Sequence, residues 1–342
     1  MSTILTRAHK ELFQRAPDET FASIPDLIQH CLRQKLESQD RWHLPQTLRT
    51  SPRFDGMGLL AGSDGAFTLN DWSFSQLCKL AGVSKDTVNR VSSDTASRIF
   101  QETLPAGKKP LQIFTNGNEV RSIHGASYTR MFNTDLLAIV QEFAVDFQPP
   151  QRGFNSNTGL YCGEQDMFAF LIDPTGWTEI EGEAFAPGFF IWNSEVGRRS
   201  VGIETFWFQS VCANHIVWDA VEVVEFSRKH TANVHDALRE VRRIIEKLVT
   251  RRDERRDGFA RVMAKAMQTS LGYEVEEVTN LLMNKGINRS LAKLATEIAR
   301  EQGRFTVFSL VDALTRLTGQ MAWIGDRTET DQKVASLLAL AV

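Results

Sequence analysis

The stretch Asn193-Ser194-Glu195-Val196-Gly197-Arg198-Arg199-Ser200 lies between two apolar runs, "PGFFIW" and "VGIETFWFQSVCANHIVW". Both flanks are rich in the β-branched and aromatic residues that favour strands, which makes the polar octapeptide the tip of a hairpin. A bare tip needs only polarity. This one concentrates Glu195, Arg198 and Arg199, with Glu204 a few residues into the second strand, and that grouping points to two chemistries. Guanidinium groups on a loop held by a rigid sheet bind phosphate, with Glu195 orienting one of them. Alternatively, Glu164, Asp166, Glu195 and Glu204 converge near His215 around a divalent cation, as metal-assisted nucleases require. Gly197 supplies the freedom of a tight turn, while the side chains of Asn193 and Ser194 bond local amides.

The phosphate chemistry has further candidates. "VRSIHGASYTR" places Arg121, Tyr128 and Arg130 within ten residues, and the segment 228–265 holds twelve Lys or Arg against six Asp or Glu. Arg242, Arg243, Arg251 and Arg252 belong to that run, in a chain whose net charge is −3. A basic stripe beside aromatics that stack bases (Tyr128, Trp192 and Trp207 are the nearest in sequence) is what a single-stranded nucleic-acid partner demands. The competing outcome is a solvated helix face laced with ion pairs. A catalytic set is not assigned, and an anti-defence factor acting through protein–protein contact is a further alternative.

Other motifs are excluded or weak. There is no G-x-x-x-x-G-K-[ST] and no H-E-x-x-H. "FDGMGLLAGSDG" is followed by the strand-like "AFTL" where a dinucleotide fold needs a helix, so it is expected to be strand and turn. Cys31, Cys78, Cys162 and Cys212 are far apart, unlike zinc ligands or a disulfide framework, and Cys212 is expected to be a small buried hydrophobe. His230 and His235 are five apart, a poor spacing for a shared helix face. No metal or cofactor is therefore expected. The N-terminal residues lack an apolar signal region and no apolar run reaches membrane-spanning length, so a cytoplasmic protein without a membrane partner is expected.

The elements that must position these residues make an α+β fold: an antiparallel sheet of hairpins packed with helices, then a mainly helical C-terminal region. Residues 1–52 are expected to form an arm with one short helix, "SIPDLIQHCLRQKLE". Residues 53–230 form the α+β core domain, with helices over 71–101 and 133–145. "TNGN" marks one hairpin turn, and Asp173-Pro174-Thr175-Gly176 closes two more strands. In the strand beginning at Val201, Val201, Ile203, Thr205 and Trp207 share one face and Gly202, Glu204, Phe206 and Phe208 the other. Residues 231–342 are helical, and Val234, Leu238, Val241, Ile245 and Leu248 form a heptad-like seam expected to pack on its own domain.

Two resemblances bear on function. "LCKLAGVSKDTVNRV" resembles the helix-turn-helix of bacterial repressors, with Lys85–Val91 as recognition helix. Asp86 and Asp94 offset its cations, so a structural helix pair with Leu77, Leu80 and Val88 buried is expected. The ordered set "SFSQLCKLAGV", "EVRSIHGASYTRMFNTDLLAIV", "NSEVG", "VCANHIV" and "SLVDALTRL" resembles the phage/plasmid-like family grouped as domain of unknown function number 932. His215 and Asp312 stand where that family usually has glycine and asparagine. The resemblance covers roughly residues 70–320 and implies residence on mobile genetic elements without implying a reaction. A weaker similarity, of fold pattern alone, is to phage single-strand annealing recombinases. Together these imply a DNA-recombination or annealing protein, a homo-oligomer that binds single-stranded DNA.

Overall fold

The computed structural model describes residues 20–53, 56–149, 159–211, 214–218, 225–301, 303–319 and 337. The first nineteen residues of the expected arm, and Cys212 with Ala213, lie outside the described residues, as does the side chain of His215. The chain is α+β, with two mostly antiparallel sheets and a helical C-terminal region.

The N-terminal sheet begins after helix α1 (Ile24–Glu37), which Ser23 caps by accepting from the Asp26 amide at 3.3 Å and which carries Pro25 in its first turn, where no intrahelical donor is lost. Strands β1 (Ser38–His43), β2 (Leu48–Arg53), β3 (Gly56–Ala61), β4 (Ala66–Leu69), β5 (Leu111–Asn116) and β6 (Glu119–Gly125) follow in the spatial order β1-β5-β6-β4-β3-β2. The two edge strands are therefore joined by residues 44–47 alone. Four linking residues span at most roughly 17 Å, whereas flat strands in this order would hold the edges about 24 Å apart. The sheet has to coil. Arg41 and His43 on β1 accordingly reach across to Asp64 in the β3–β4 turn, at 3.1 and 3.0 Å. The boundary expected at residue 52 falls inside β2, so residues 38–53 are core and not arm.

Helices α2 (Asp71–Ala81), α3 (Lys85–Val88) and α4 (Ser93–Thr103) cover one face of this sheet. Leu77, Val88 and Phe100 are buried there against Leu59 and Ile113, while Leu80 is half-buried. The segment that resembles a recognition helix is one turn long, and Lys85 is held by Asp71 at 2.5 Å. It is a structural helix pair.

The second sheet contains β7 (Leu160–Cys162), β8 (Met167–Ile172), β9 (Thr178–Ile180), β10 (Glu183–Asn193), β11 (Val201–Val211), β12 (Asn214–Trp218) and β13 (Glu225–Arg228), with the path β12-β11-β10-β8-β7. On one face Val201, Ile203, Phe189 and Ile191 pack against α1, α5 (Asn133–Phe143) and α6 (Asp236–Thr250). On the other, Phe168, Phe170, Phe190, Trp192, Phe206 and Phe208 form an aromatic layer. The alternation in the sequence of β11 is thus a division between two cores. Helices α7 (Arg252–Gln268), α8 (Val275–Asn284), α9 (Arg289–Glu301) and α10 (Val307–Gly319) build a third core around Phe259, Leu282 and Leu310, joined to the sheet through Phe185 and Trp207. The seam residues Val234, Val241, Ile245 and Leu248 pack on the second sheet's helices, within this chain.

Candidate functional site

The loop between β10 and β11 is a buried junction, not a solvated tip. Asn193 and Ser194 are fully buried and Glu195 is 2 % exposed. Glu195 Oε2 accepts from Arg121 Nη1 at 2.9 Å, and Oε1 accepts from the Asn133 amide at 2.8 Å. That amide opens α5, so the carboxylate sits where the helix dipole favours negative charge. The Glu195 carbonyl accepts from Tyr128 Oη at 2.9 Å and from Arg130 Nη1. Arg130 in turn pairs with Asp40 on β1 at 2.8 Å and lies over the Phe114 ring, 3.4 Å from its centroid. Asn193 donates to the Met131 carbonyl and to Asn133 Oδ1, both at 2.9 Å. Ser194 Oγ donates to the Gln165 carbonyl at 2.5 Å and accepts the Arg198 amide at 2.9 Å. One carboxylate therefore ties the β10–β11 hairpin to the N-terminal sheet and to α5.

Aromatic packing closes the junction. His124 stacks on Tyr128 with centroids 3.7 Å apart, and Tyr128 stacks on His230 at 5.5 Å. Burial, with the nearby Arg130 charge second, lowers His124 to a pKa of about 3. Burial is likewise the main reason that His230 falls to about 4. Burial also pushes the Tyr128 hydroxyl upward. Gly197 has φ of 72°, and a Cβ there would stand 2.7 Å from His124 Cε1 and 2.9 Å from Tyr128 Cε2. Both the conformation and the space demand glycine.

The other nominated cations are mostly committed to protein partners. Arg199 pairs with Asp166 at 2.7 Å, Arg242 with Glu142 at 2.6 Å, Arg243 with Glu240 at 2.5 Å and Arg251 with Glu254 at 3.0 Å. Arg252 reaches the buried Asp173. Arg198 is exposed, 3.2 Å from Gln165 Oε1 and 5.5 Å from the Trp72 ring centroid. The four carboxylates of the metal alternative do not meet as ligands: Asp166 and Glu195 are in ion pairs and Glu164 accepts the Trp72 amide at 2.9 Å. Among the described residues, no group of three or more His, Cys, Asp or Glu side chains is placed to hold a metal ion. No described helix is long and apolar enough to cross a membrane.

A second polar–aromatic site, absent from the expectations above, lies in the C-terminal helices. Residues 269–273 follow α7 and pair with 304–307: the Leu271 amide donates to the Phe305 carbonyl at 2.8 Å, and the Val307 amide to the Thr269 carbonyl at 3.0 Å. This pairing surrounds a cavity of about 510 Å³ whose lining includes Tyr273, Arg300 and Arg304. Tyr273 is 87 % exposed. Both arginines are exposed, and neither guanidinium has a carboxylate partner among the described residues. The usable sequence signal was "SLGYEVEE", an aromatic among polar residues just before a helix, where no core position exists for it.

The two sites define an α+β protein whose lobes are joined by a buried carboxylate. The family model described as Domain of unknown function (DUF932) matches residues 122–335, and the chain belongs to that family. No curated protein and no solved structure matches the chain.

Proposed function

We propose that this protein binds single-stranded nucleic acid without catalysing a reaction, serving DNA recombination or annealing on a mobile element, and that the C-terminal site makes the contact. One observation carries the reading: Tyr273 stands 87 % exposed at the mouth of a cavity that also holds Arg300 and Arg304. An exposed ring is a stacking platform for a base of any sequence, and guanidinium groups that no carboxylate among the described residues holds are available to phosphates. Arg289 and Lys293 are exposed on the same helix as Arg300. From Arg289 to Arg300 the helix rises roughly 16 Å, long enough to follow a backbone for a few nucleotides. The mobile-element setting is supported by the family resemblance.

Fluorescence anisotropy with a labelled single-stranded oligonucleotide at several salt concentrations tests this. Binding is expected to weaken steeply with salt, and Tyr273→Ala to lose roughly 10-fold in affinity, the stacking of one base. Arg300→Ala with Arg304→Ala is expected to reduce the log–log salt slope by about 1.4, the counterions of two single-strand phosphates. Absence of binding at low salt, or wild-type affinity and slope in these variants, overturns the reading.

A further inference from the structure

Cys31 and Cys162 come from distant parts of the chain, yet their sulfurs are 4.0 Å apart. Cys31 lies inside α1 and is fully buried; Cys162 ends β7 and is 5 % exposed. Three polar groups attend the pair, and one of them, Gln34, accepts from Cys162 Sγ through its Oε1 at 4.0 Å. Asn133, which belongs to the Glu195 junction, directs its amide nitrogen toward Cys162 Sγ at 3.8 Å. His30, next to Cys31 and only half-buried, favours ionisation of the Cys162 thiol. Its Nε2 is buried with no hydrogen-bond partner among the described residues. A core that needed two small apolar side chains here would not set an imidazole and a carboxamide beside them.

We propose that Cys31 and Cys162 are a redox modification site, converted to a disulfide by a hydroperoxide. The Cys162 proton passes to His30, and the thiolate attacks the peroxide. The O–O bond breaks, a sulfenic acid forms on Cys162, and the leaving oxygen takes the proton to depart as water or alcohol. The Cys31 sulfur then displaces the hydroxyl of the sulfenic acid, its own proton leaves with that oxygen as a second water, and the S–S bond closes. Two thiols are oxidised and one peroxide is reduced. Hydrogen bonding with Cys31 and the burial of the site hold the Cys162 thiol well above its usual pKa. The reaction is therefore slow at neutral pH and quickens with alkalinity. The product fastens α1 to β7 beside the Glu195 junction.

The test treats the reduced full-length protein with hydrogen peroxide and maps its peptides without reduction. The expected result is a Cys31–Cys162 linked peptide, an intact mass lower by two hydrogens, and a melting temperature higher by roughly 5–10 °C, since the link closes a long loop in the unfolded chain. In Cys31→Ser the sulfenic acid on Cys162 persists and is trapped by dimedone, and His30→Gln slows link formation several-fold. Links confined to other cysteines, or oxidation that stops at single residues of the wild type, overturn the proposal. The mapping stands on the wild-type protein, so a variant that fails to fold does not weaken it.

Discussion

The junction around Glu195 and the cavity around Tyr273 use the same side chain, arginine, to opposite ends. Arg121 and Arg130 are 5 % and 7 % exposed, and each is held by a carboxylate. Arg300 and Arg304 are exposed, with no carboxylate partner among the described residues. The difference is one of dielectric. A charge taken out of water must be met by an opposite charge and by hydrogen bonds, so the buried arginines have their partners fixed by the fold. An exposed arginine is already solvated and can exchange water for a ligand at little cost. A basic residue in a motif therefore signals binding only after its own fold has declined to use it.

The largest effect that would break this comparison is at Glu195. Glu195→Ala removes one partner of a buried ion pair and strands Arg121 and the Asn133 amide, so it is expected to cost about 3–5 kcal/mol. Urea denaturation measures it, and a loss below 1 kcal/mol would mean the junction is not the structural tie described above. Tyr273→Ala, by contrast, should leave the urea midpoint unchanged.

Acidification sharpens the contrast. The folded-state pKa values of His124 and His230, about 3 and about 4, lie below the ordinary histidine value of 6.5. Between these limits the unfolded chain binds more protons, so the stability these histidines contribute is complete above pH 6.5 and is lost as pH falls. The expected loss is about 2.5 kcal/mol at pH 5.5, with a shallower pH slope in His124→Gln. An unchanged slope in that variant would place the acid sensitivity elsewhere.

The smallest effect concerns Arg242 and Arg243. Their carboxylate partners are on the surface, and such pairs contribute little. The double alanine variant is expected to change stability by less than about 0.5 kcal/mol and to leave oligonucleotide affinity near wild type. A large loss of affinity would move the proposed nucleic-acid contact from the Tyr273 site to α6.

Much of the fold was legible because local signals agreed with tertiary ones. The Asn116-Gly117 hairpin, the Asp173–Gly176 turn and the two faces of β11 depend on short-range turn chemistry and period-two alternation. The coiling of the first sheet was not legible, since it follows from β1 and β2 being edges of one sheet, a non-local fact. The loop "NSEVG" was singled out by its charge, but charge does not reveal depth. Glu195 is buried because Arg121 and Asn133 lie 74 and 62 residues away in sequence and meet it in space. Tyr273 escaped notice for the converse reason: one aromatic among polar residues is a weak signal until its exposure is known.

The junction also constrains the order of folding. Asp40, Arg130 and Glu195 come from three segments, and the contact between Glu195 and Arg130 spans 65 residues of chain. The hairpins β5–β6 and β10–β11 close locally and can form early. Asp40 precedes Arg130 in the chain, but the carboxylate that meets Arg121 is Glu195, so burial of Arg121 waits for the β10–β11 hairpin. A chain growing from its N-terminus must therefore hold its first sheet undocked until Glu195 has been added. Over that interval Arg121 and the Asn133 amide lack the carboxylate that meets them in the folded protein.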